Sequence, residues 1–204
     1  GLKKANILLV DRQGVIHTGR DDLNSFKQAF AVTTRARTLA DAIKGSDVVI
    51  GVSGANLIDE AMIKSMASKP VVFALSNPDP EVRPETVNRA RSDAIMATGR
   101  SDFPNQVNNV LGFPYIFRGA LDVRASRINE AMELAAVHAL CALAREPVPP
   151  EVSRAYNLTS LSFGAQYIIP KPVDARLKAR VSAAVAKAAT ETGVARLPYP
   201  SWYL

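Results

Sequence analysis

The sequence predicts an α/β protein: a Rossmann-like, doubly wound and mostly parallel sheet with added C-terminal helices. Three observations lead there. The run Val71-Val72-Phe73-Ala74-Leu75 is apolar throughout and lies between Lys69-Pro70 and Ser76-Asn77-Pro78, the pattern of a strand buried on both faces. A second run, Asp47-Val48-Val49-Ile50-Gly51-Val52, feeds directly into Ser53-Gly54-Ala55-Asn56. Helix-length segments separate the buried runs, which indicates parallel strands with right-handed crossovers.

Taken in order, Asn6-Ile7-Leu8-Leu9-Val10-Asp11 reads as a short buried strand ending in a carboxylate, with a turn glycine at Gly14. Asp22–Ala31 has Leu23, Phe26, Ala29 and Phe30 near one helical face. Thr38 and Asp41 form a capping pair for a short helix over 38–43. Helix 58–67 follows the second strand, with Ile58, Met62, Ile63 and Met66 on its buried side. Pro84 opens a helix to Arg91, a position where the first turn tolerates proline. Asp93–Thr98 is the last readable strand and leads into a loop carrying Asn105, Gln106, Asn108 and Asn109. One long alanine-rich helix is expected within Leu121–Arg145, ended by Pro147, Pro149 and Pro150. A further helix over Val173–Thr192 stops near Gly193, and the aromatic tail 197–204 is expected to dock in extended form. The expected organisation is a dinucleotide-binding domain over residues 1–146 with a helical extension, 147–204, packed on the same domain.

Composition narrows the function classes. The 204 residues are 48% hydrophobic, enough for a sizeable core. The single cysteine, Cys141, excludes an internal disulfide framework, fits a reducing compartment, and is expected to be a buried structural thiol. No apolar run approaches the roughly 20 residues of a membrane helix, and Gly1-Leu2-Lys3-Lys4 opens no apolar h-region, so no signal peptide and a cytoplasmic location are expected. A net charge of +6 suits an anionic ligand. The basic residues are dispersed and no aromatics are interleaved with them, which argues against nucleic acid.

The candidate site residues follow from position. In open α/β sheets, ligands bind beyond the carboxyl ends of the strands, where Asn77 and the turn Val52-Ser53-Gly54 stand. Asn77 offers a neutral donor and acceptor, although a turn asparagine also serves its own backbone. Asp11 occupies the place where a carboxylate receives the adenosine ribose of a dinucleotide, and it reads equally as a surface turn residue. Arg12 beside it would attract a ribose 2′-phosphate that Asp11 would repel; on Asp11 alone the balance leans to NAD. The glycine-rich turn normally found about 20 residues earlier would fall before Gly1. The sheet's first strand and that turn are therefore expected to be missing. Asn108 and Asn109 can orient a small polyoxygenated ligand or satisfy loop backbone.

Ile50-Gly51-Val52-Ser53-Gly54, Phe73-Ala74-Leu75-Ser76-Asn77-Pro78 and Asn108-Asn109 stand in an order and spacing that resembles the malic enzymes. Ala97-Thr98-Gly99-Arg100-Ser101-Asp102-Phe103-Pro104-Asn105-Gln106-Val107-Asn108-Asn109, Gly119–Ala125 and Tyr167-Ile168-Ile169-Pro170-Lys171-Pro172 resemble the prokaryotic branch. The resemblance implies oxidation and decarboxylation of L-malate to pyruvate and carbon dioxide, with NAD or NADP and a divalent cation, Mg2+ or Mn2+. It implies that Asn77, Asn108 and Asn109 contact malate, that Asn77 also lies beside the nicotinamide, and that Val52, Ser53 and Gly54 run along the dinucleotide. Asp11 matches the ribose carboxylate, with Arg12 adjacent. The family's catalytic tyrosine and lysine, its metal ligands and its phosphate turn all precede the matching region. Residues 1–204 are therefore expected to be the carboxyl-terminal dinucleotide-binding portion of a homo-oligomer (dimer or higher), inactive alone, with no catalytic or metal residue of their own. The competing readings are a nucleotide-binding module without chemistry and another NAD(P)-dependent dehydrogenase of similar fold.

Overall fold

The computed structural model describes residues 2–203; Gly1 and Leu204, the last residue of the expected tail, lie outside the described residues. The chain opens with a two-residue antiparallel pair, β1 (Val10–Asp11) and β2 (Gly14–Val15). The expected strand over 6–11 therefore shrinks to its last two residues and stays out of the parallel sheet. Residues 4–6 form a 3-10 turn instead. Gly14 adopts φ +110° at this hairpin, where a Cβ would collide with the carbonyl of Arg37.

α1 (Ser25–Gln28) is a single turn capped by Asn24, whose side chain accepts from the Lys27 N–H at 2.9 Å. This corrects the longer helix over 22–31. Phe26 is 83% exposed, so the expected apolar face finds nothing to pack against. α2 (Leu39–Ile43) carries the anticipated capping box. Thr38 Oγ1 accepts from the Asp41 N–H, and Asp41 Oδ2 accepts from the Thr38 N–H at 2.9 Å.

The central layer is a parallel three-stranded sheet in sequence order: β3 (Val48–Gly51), β4 (Val71–Ala74) and β5 (Ile95–Thr98). Val48 pairs with Val71 and Val71 with Ile95; Gly51 pairs with Ala74 and Ala74 with Thr98. The crossovers are α3 (Glu60–Ser65), capped by Asp59, and α4 (Pro84–Ala90), with Pro84 in its first turn. Helices α2, α3 and α4, with Ile58 and Met66 flanking α3, bury Ile43, Ile58, Ile63, Met66 and Val87 against Val72 and Ala74, with Val49 and Met96 at the margin. These strand residues alternate along one face, as the two-residue period of a strand requires. The opposite face differs from the expected double burial. Val71 and Phe73 are partly covered, and on the edge strand Val48 and Ile50 are 50% and 61% exposed.

Past β5, α5 (Phe113–Asp122) was not anticipated, a break follows it, and α6 (Glu130–Arg145) is the long helix expected within 121–145. The break includes Arg124 at φ +47°, a left-handed conformation that ends a helix. Asn129 then caps α6, its side chain accepting from the Met132 N–H at 3.1 Å. A further helix, α7 (Pro150–Ala155), follows the prolines, and α8 (Arg176–Glu191) ends before Gly193 at φ +69°. Leu177, Val181, Val185 and Ala189 of α8 pack between Ala120 and Val123 from the α5 side and Met132, Ala136 and Leu143 of α6. Gly119 permits this approach, because a Cβ there would stand 2.8 Å from Val185 Cβ. The boundary expected after residue 146 falls between α6 and α8, two helices that share this cluster. The tail docks, although Ser201–Tyr203 form a 3-10 turn where extended chain was expected: Tyr199 and Tyr203 pack on the cluster, and Tyr203 Oη donates to Asp122 Oδ2 at 2.6 Å. Cys141 is exposed, which corrects the buried thiol expected of it; it lies on the outer face of α6, away from α8. Among the described residues, no helix is long and apolar enough to cross a membrane.

Candidate functional site

Parallel strands deliver their final residues to one edge, and the loops leaving that edge form the candidate site. After β3 comes Val52-Ser53-Gly54, with Val52 and Ser53 exposed. After β4 comes Leu75-Ser76-Asn77. Leu75 N–H donates to the Gly51 carbonyl at 2.9 Å, which closes the ladder between these strands. Asn77 is exposed, and Pro78 follows it across a cis peptide. Among the described residues its Nδ2 makes one long bond, to the Leu75 carbonyl at 3.4 Å. The amide lies against the backbone of Gly99, just past β5, where a Cβ would come within 3.1 Å of Asn77 Oδ1. A bare backbone at residue 99 is therefore what lets Asn77 stand at the mouth of the sheet.

The amide-rich loop after β5 divides by role. Asn105, in a left-handed conformation at φ +55°, is buried and acts as a clip. Its Nδ2 donates to the carbonyls of Met96 and Ala165 at 2.9 and 2.7 Å, and its Oδ1 accepts from the Ile168 N–H at 2.9 Å. Asn108 Oδ1 accepts from the Val110 N–H at 3.0 Å and so caps the 3-10 turn Asn109–Leu111 that leads into α5. Asn109 is exposed. The loop is tied to the sheet through Val107 N–H and the Thr98 carbonyl, 2.8 Å apart. Asn77, Asn108 and Asn109 thus all sit on segments leaving the carboxyl ends of β4 and β5.

Asp11 and Arg12 occupy the hairpin, which reaches the sheet layer indirectly: Val15 N–H donates to the Arg37 carbonyl at 2.8 Å, next to α2. Asp11 is not a free carboxylate. Arg20 Nη1 and Nη2 donate to its two oxygens at 2.8 and 3.1 Å, and Lys27 Nζ donates at 2.6 Å. The Arg20 hydrogen bonds, then the Lys27 one, hold the Asp11 carboxyl far below the usual carboxylate range. Asp11, Arg12, Gln13 and Lys27 line an open cavity of about 520 Å3. Asp22 shares Arg20, its two oxygens accepting from Nε and Nη2 at 2.8 and 2.6 Å, so Arg12, Arg20 and Lys27 stand against the carboxylates of Asp11 and Asp22. Arg20 and Lys27 were not legible as site residues, because they lie 9 and 16 positions beyond Asp11.

Reading along the chain also misses Glu81. It is 1% exposed, and its two oxygens accept from the N–H groups of Ser53 at 2.8 Å and Ser76 at 3.2 Å. The sole hint was a carboxylate placed after two prolines in Pro78-Asp79-Pro80-Glu81.

The hairpin thus presents a basic cavity, and the strand ends present open turns. Comparison with known proteins decides the family. The profile described as malic enzyme, NAD binding domain, matches residues 3–157. The chain belongs to the malic enzyme family. A NADP-dependent malic enzyme of Halomonas elongata is 62% identical over 203 residues, covering 100% of this chain and 48% of that protein. A NAD-dependent malic enzyme of Rhizobium meliloti is 49% identical, over 97% of this chain and 26% of that protein. Among solved structures, a malic enzyme of Entamoeba histolytica superposes with a TM-score of 0.79 at 34% identity, over 96% of this chain and 39% of that one. One from Pyrococcus horikoshii gives 0.77 at 36% identity, over 93% and 42%. The chain therefore spans between about a quarter and a half of the length of the malic enzymes it matches. The Rossmann-like α/β class stands on both the sheet and these superpositions.

Proposed function

We propose that this chain is the dinucleotide-binding part of an enzyme that oxidises L-malate and decarboxylates it to pyruvate and carbon dioxide, reducing NAD or NADP. The observation that carries the reading is the convergence of the Ser53 turn, the Asn77 turn and the Asn108-Asn109 loop on the carboxyl edge of one parallel sheet. The malic enzymes named above support the choice of substrate.

When bound, the nicotinamide accepts the hydride that leaves malate C2. The chain's own contribution is binding and orientation. Val52, Ser53 and Gly54 offer an exposed backbone along which a dinucleotide lies. The exposed Asn77 amide reaches both the nicotinamide side and the substrate, donating to an oxygen through Nδ2 or accepting a hydroxyl proton at Oδ1. Asn109 is the second substrate amide. Asn108 spends its Oδ1 on the Val110 N–H and keeps only its Nδ2 for malate. Such contacts act by holding substrate and cofactor in a reactive geometry.

On cofactor choice, the paired state of Asp11 reverses the lean that its charge alone suggests. With Arg20 shared between Asp11 and Asp22, Lys27 paired to Asp11 and Arg12 exposed beside them, cations outnumber carboxylates by one and the cavity suits a 2′-phosphate. NADP is the favoured cofactor. Among the described residues, no group of three or more His, Cys, Asp or Glu side chains is placed to hold a metal ion. Mg2+ or Mn2+ is assigned to residues outside this chain. The organisation proposed is a 1–146 dinucleotide-binding domain with 147–204 packed onto it, in a homo-oligomer located in the cytoplasm. The packing of α8 on α5 and α6 supports the second element.

The test is pyruvate formation from L-malate by the full-length protein with Mn2+ and either cofactor. Turnover with NADP exceeding that with NAD is the expected result. No pyruvate with either cofactor overturns the reading.

A further inference from the structure

Glu81 is a buried acid amid the loops that form the candidate site. Beyond Gly51 and Ala74 the β3–β4 ladder has run out, and the N–H groups of Ser53 and Ser76 point away from any strand partner. Each backbone N–H that leaves a sheet needs an acceptor from elsewhere. Both find it in one side chain: Ser53 N–H donates to Oε1 at 2.8 Å and Ser76 N–H to Oε2 at 3.2 Å. The residue is itself strapped down. Asn56 N–H donates to the Pro80 carbonyl at 3.1 Å and Ile58 N–H to the Glu81 carbonyl at 3.0 Å. Gly51 makes room for it, since a Cβ at that residue would lie 2.7 Å from Glu81 Cγ and Oε1.

The chemistry of the pair explains why the residue is an acid. Both partners are donors, so only a group with two acceptor oxygens serves both. A glutamine would turn its NH2 toward one of the two N–H groups, and an aspartate, one methylene shorter, would not reach them from the same backbone position. Charge-assisted bonds of this kind are the stronger and more directional ones. The two turns that they join carry Ser53 on one side and Asn77 on the other.

We infer that Glu81 is a positioning residue of the site: its carboxylate fixes the separation between the turn that carries the dinucleotide and the turn that presents Asn77 to cofactor and substrate. It touches neither molecule. This deepens, and rests on, the assignment of those turns under the proposed function. A displacement of reacting groups by about 1 Å costs on the order of 100-fold in rate, so loosening the clamp is read mainly in turnover.

The experiment compares wild type, Glu81→Gln and Asp174→Asn in the full-length protein, assayed well below their melting temperatures. Asp174 is an equally buried carboxylate, paired with Arg176 in the helical region. It serves as the control for lost stability alone. Glu81→Gln is expected to lower kcat with L-malate by about 10- to 100-fold and to raise the KM for the dinucleotide. It should also speed hydrogen exchange in the peptides bearing Ser53 and Ser76. Asp174→Asn should keep kcat and both KM values whatever its melting temperature. Wild-type kinetics and exchange in Glu81→Gln overturn the proposal, as does an equal loss of kcat in Asp174→Asn. If Glu81→Gln does not fold, Gly51→Ala displaces the carboxylate without removing it, and wild-type kcat in that variant overturns the proposal. A wild-type protein that makes no pyruvate defeats the malate assignment instead. The clamp is then judged on exchange alone, and unchanged exchange in the variant defeats it.

Discussion

The sheet region and the helical region of this chain are built to opposite specifications. In the helical region α8 is enclosed, with Leu177, Val181, Val185 and Ala189 all fully buried between α5 and α6. In the sheet region one face is sealed by α2, α3 and α4, while the other opens toward β3, where Val48, Ile50 and Val52 are exposed. Every candidate site residue read from the sequence belongs to the hairpin or to the strand-end loops, and none to the interior of the helical cluster. The contrast teaches where each property resides. Close-packed apolar volume holds the chain together, while the site depends on backbone groups and short polar side chains at the rim of a three-stranded sheet.

The largest expected effect breaks the comparison on its stable side. Leu177→Ala removes a fully buried side chain at the start of α8 and should cost about 2–5 kcal/mol in urea unfolding, cavity included. Below its melting temperature the variant should bind dinucleotide like wild type, because no site segment rests on Leu177. Weaker binding at low temperature would show the two regions to be coupled.

The next effect, Asn77→Ala, probes the open side and reverses the pattern. The single long bond from Nδ2 to the Leu75 carbonyl limits the stability loss to about 0.5–1.5 kcal/mol. Turnover in the full-length enzyme should fall by about 100-fold. A variant that melts early yet turns over normally would make Asn77 a turn amide and nothing more. Asn108 and Asn109 sharpen the point within one loop. Asn108→Ala should cost about 0.5–1.5 kcal/mol through its lost cap on Val110, whereas Asn109→Ala should leave stability unchanged and raise the KM for malate. Thermal melts and malate kinetics on the two variants separate these roles.

The same contrast explains what could be read from the sequence. Local chemistry was legible: the Thr38–Asp41 capping box, Pro84 in the first turn of α4, and the glycine that ends α8. Features set by distant packing were not. An alanine-rich stretch carries small residues on every face, so nothing along 121–145 marked Cys141 as the outer side or Arg124 as a break. Phe26 suited a helical face, but its exposure reflects a missing neighbour, which no local pattern records. In the site, Asn77 and the Ser53 turn stood out because a strand end is visible in the apolar pattern. Glu81 did not, because its partners are backbone N–H groups 28 and 5 residues away. Backbone donors leave no compositional trace.

The smallest expected effect concerns the hairpin. Asp11 is held well below its usual 3.8 by hydrogen bonds from Arg20, then Lys27. A carboxyl whose folded pKa lies below its unfolded one adds stability that is present above the unfolded value and is lost as pH falls through the folded value. From pH 5 to 8 the contribution should therefore be flat, and it should fade only as the solution is acidified below about 3.8. Lys27 is 40% exposed in this pair, so solvent and salt screen it, and Asp11→Asn should cost no more than about 0.2–1 kcal/mol at neutral pH. The loss should shrink in high salt, and wild type and variant should converge as pH drops. Cofactor preference is the more sensitive readout. Asp11→Ser frees Lys27 and leaves Arg20 paired with Asp22 alone, so the ratio of kcat/KM for NADP to that for NAD should rise. Hydrogen exchange of residues 10–20 across pH follows the first effect, and kinetics with both cofactors follows the second. An unchanged preference ratio would take Asp11 out of the ribose site and leave it as the anchor of the hairpin's own cations.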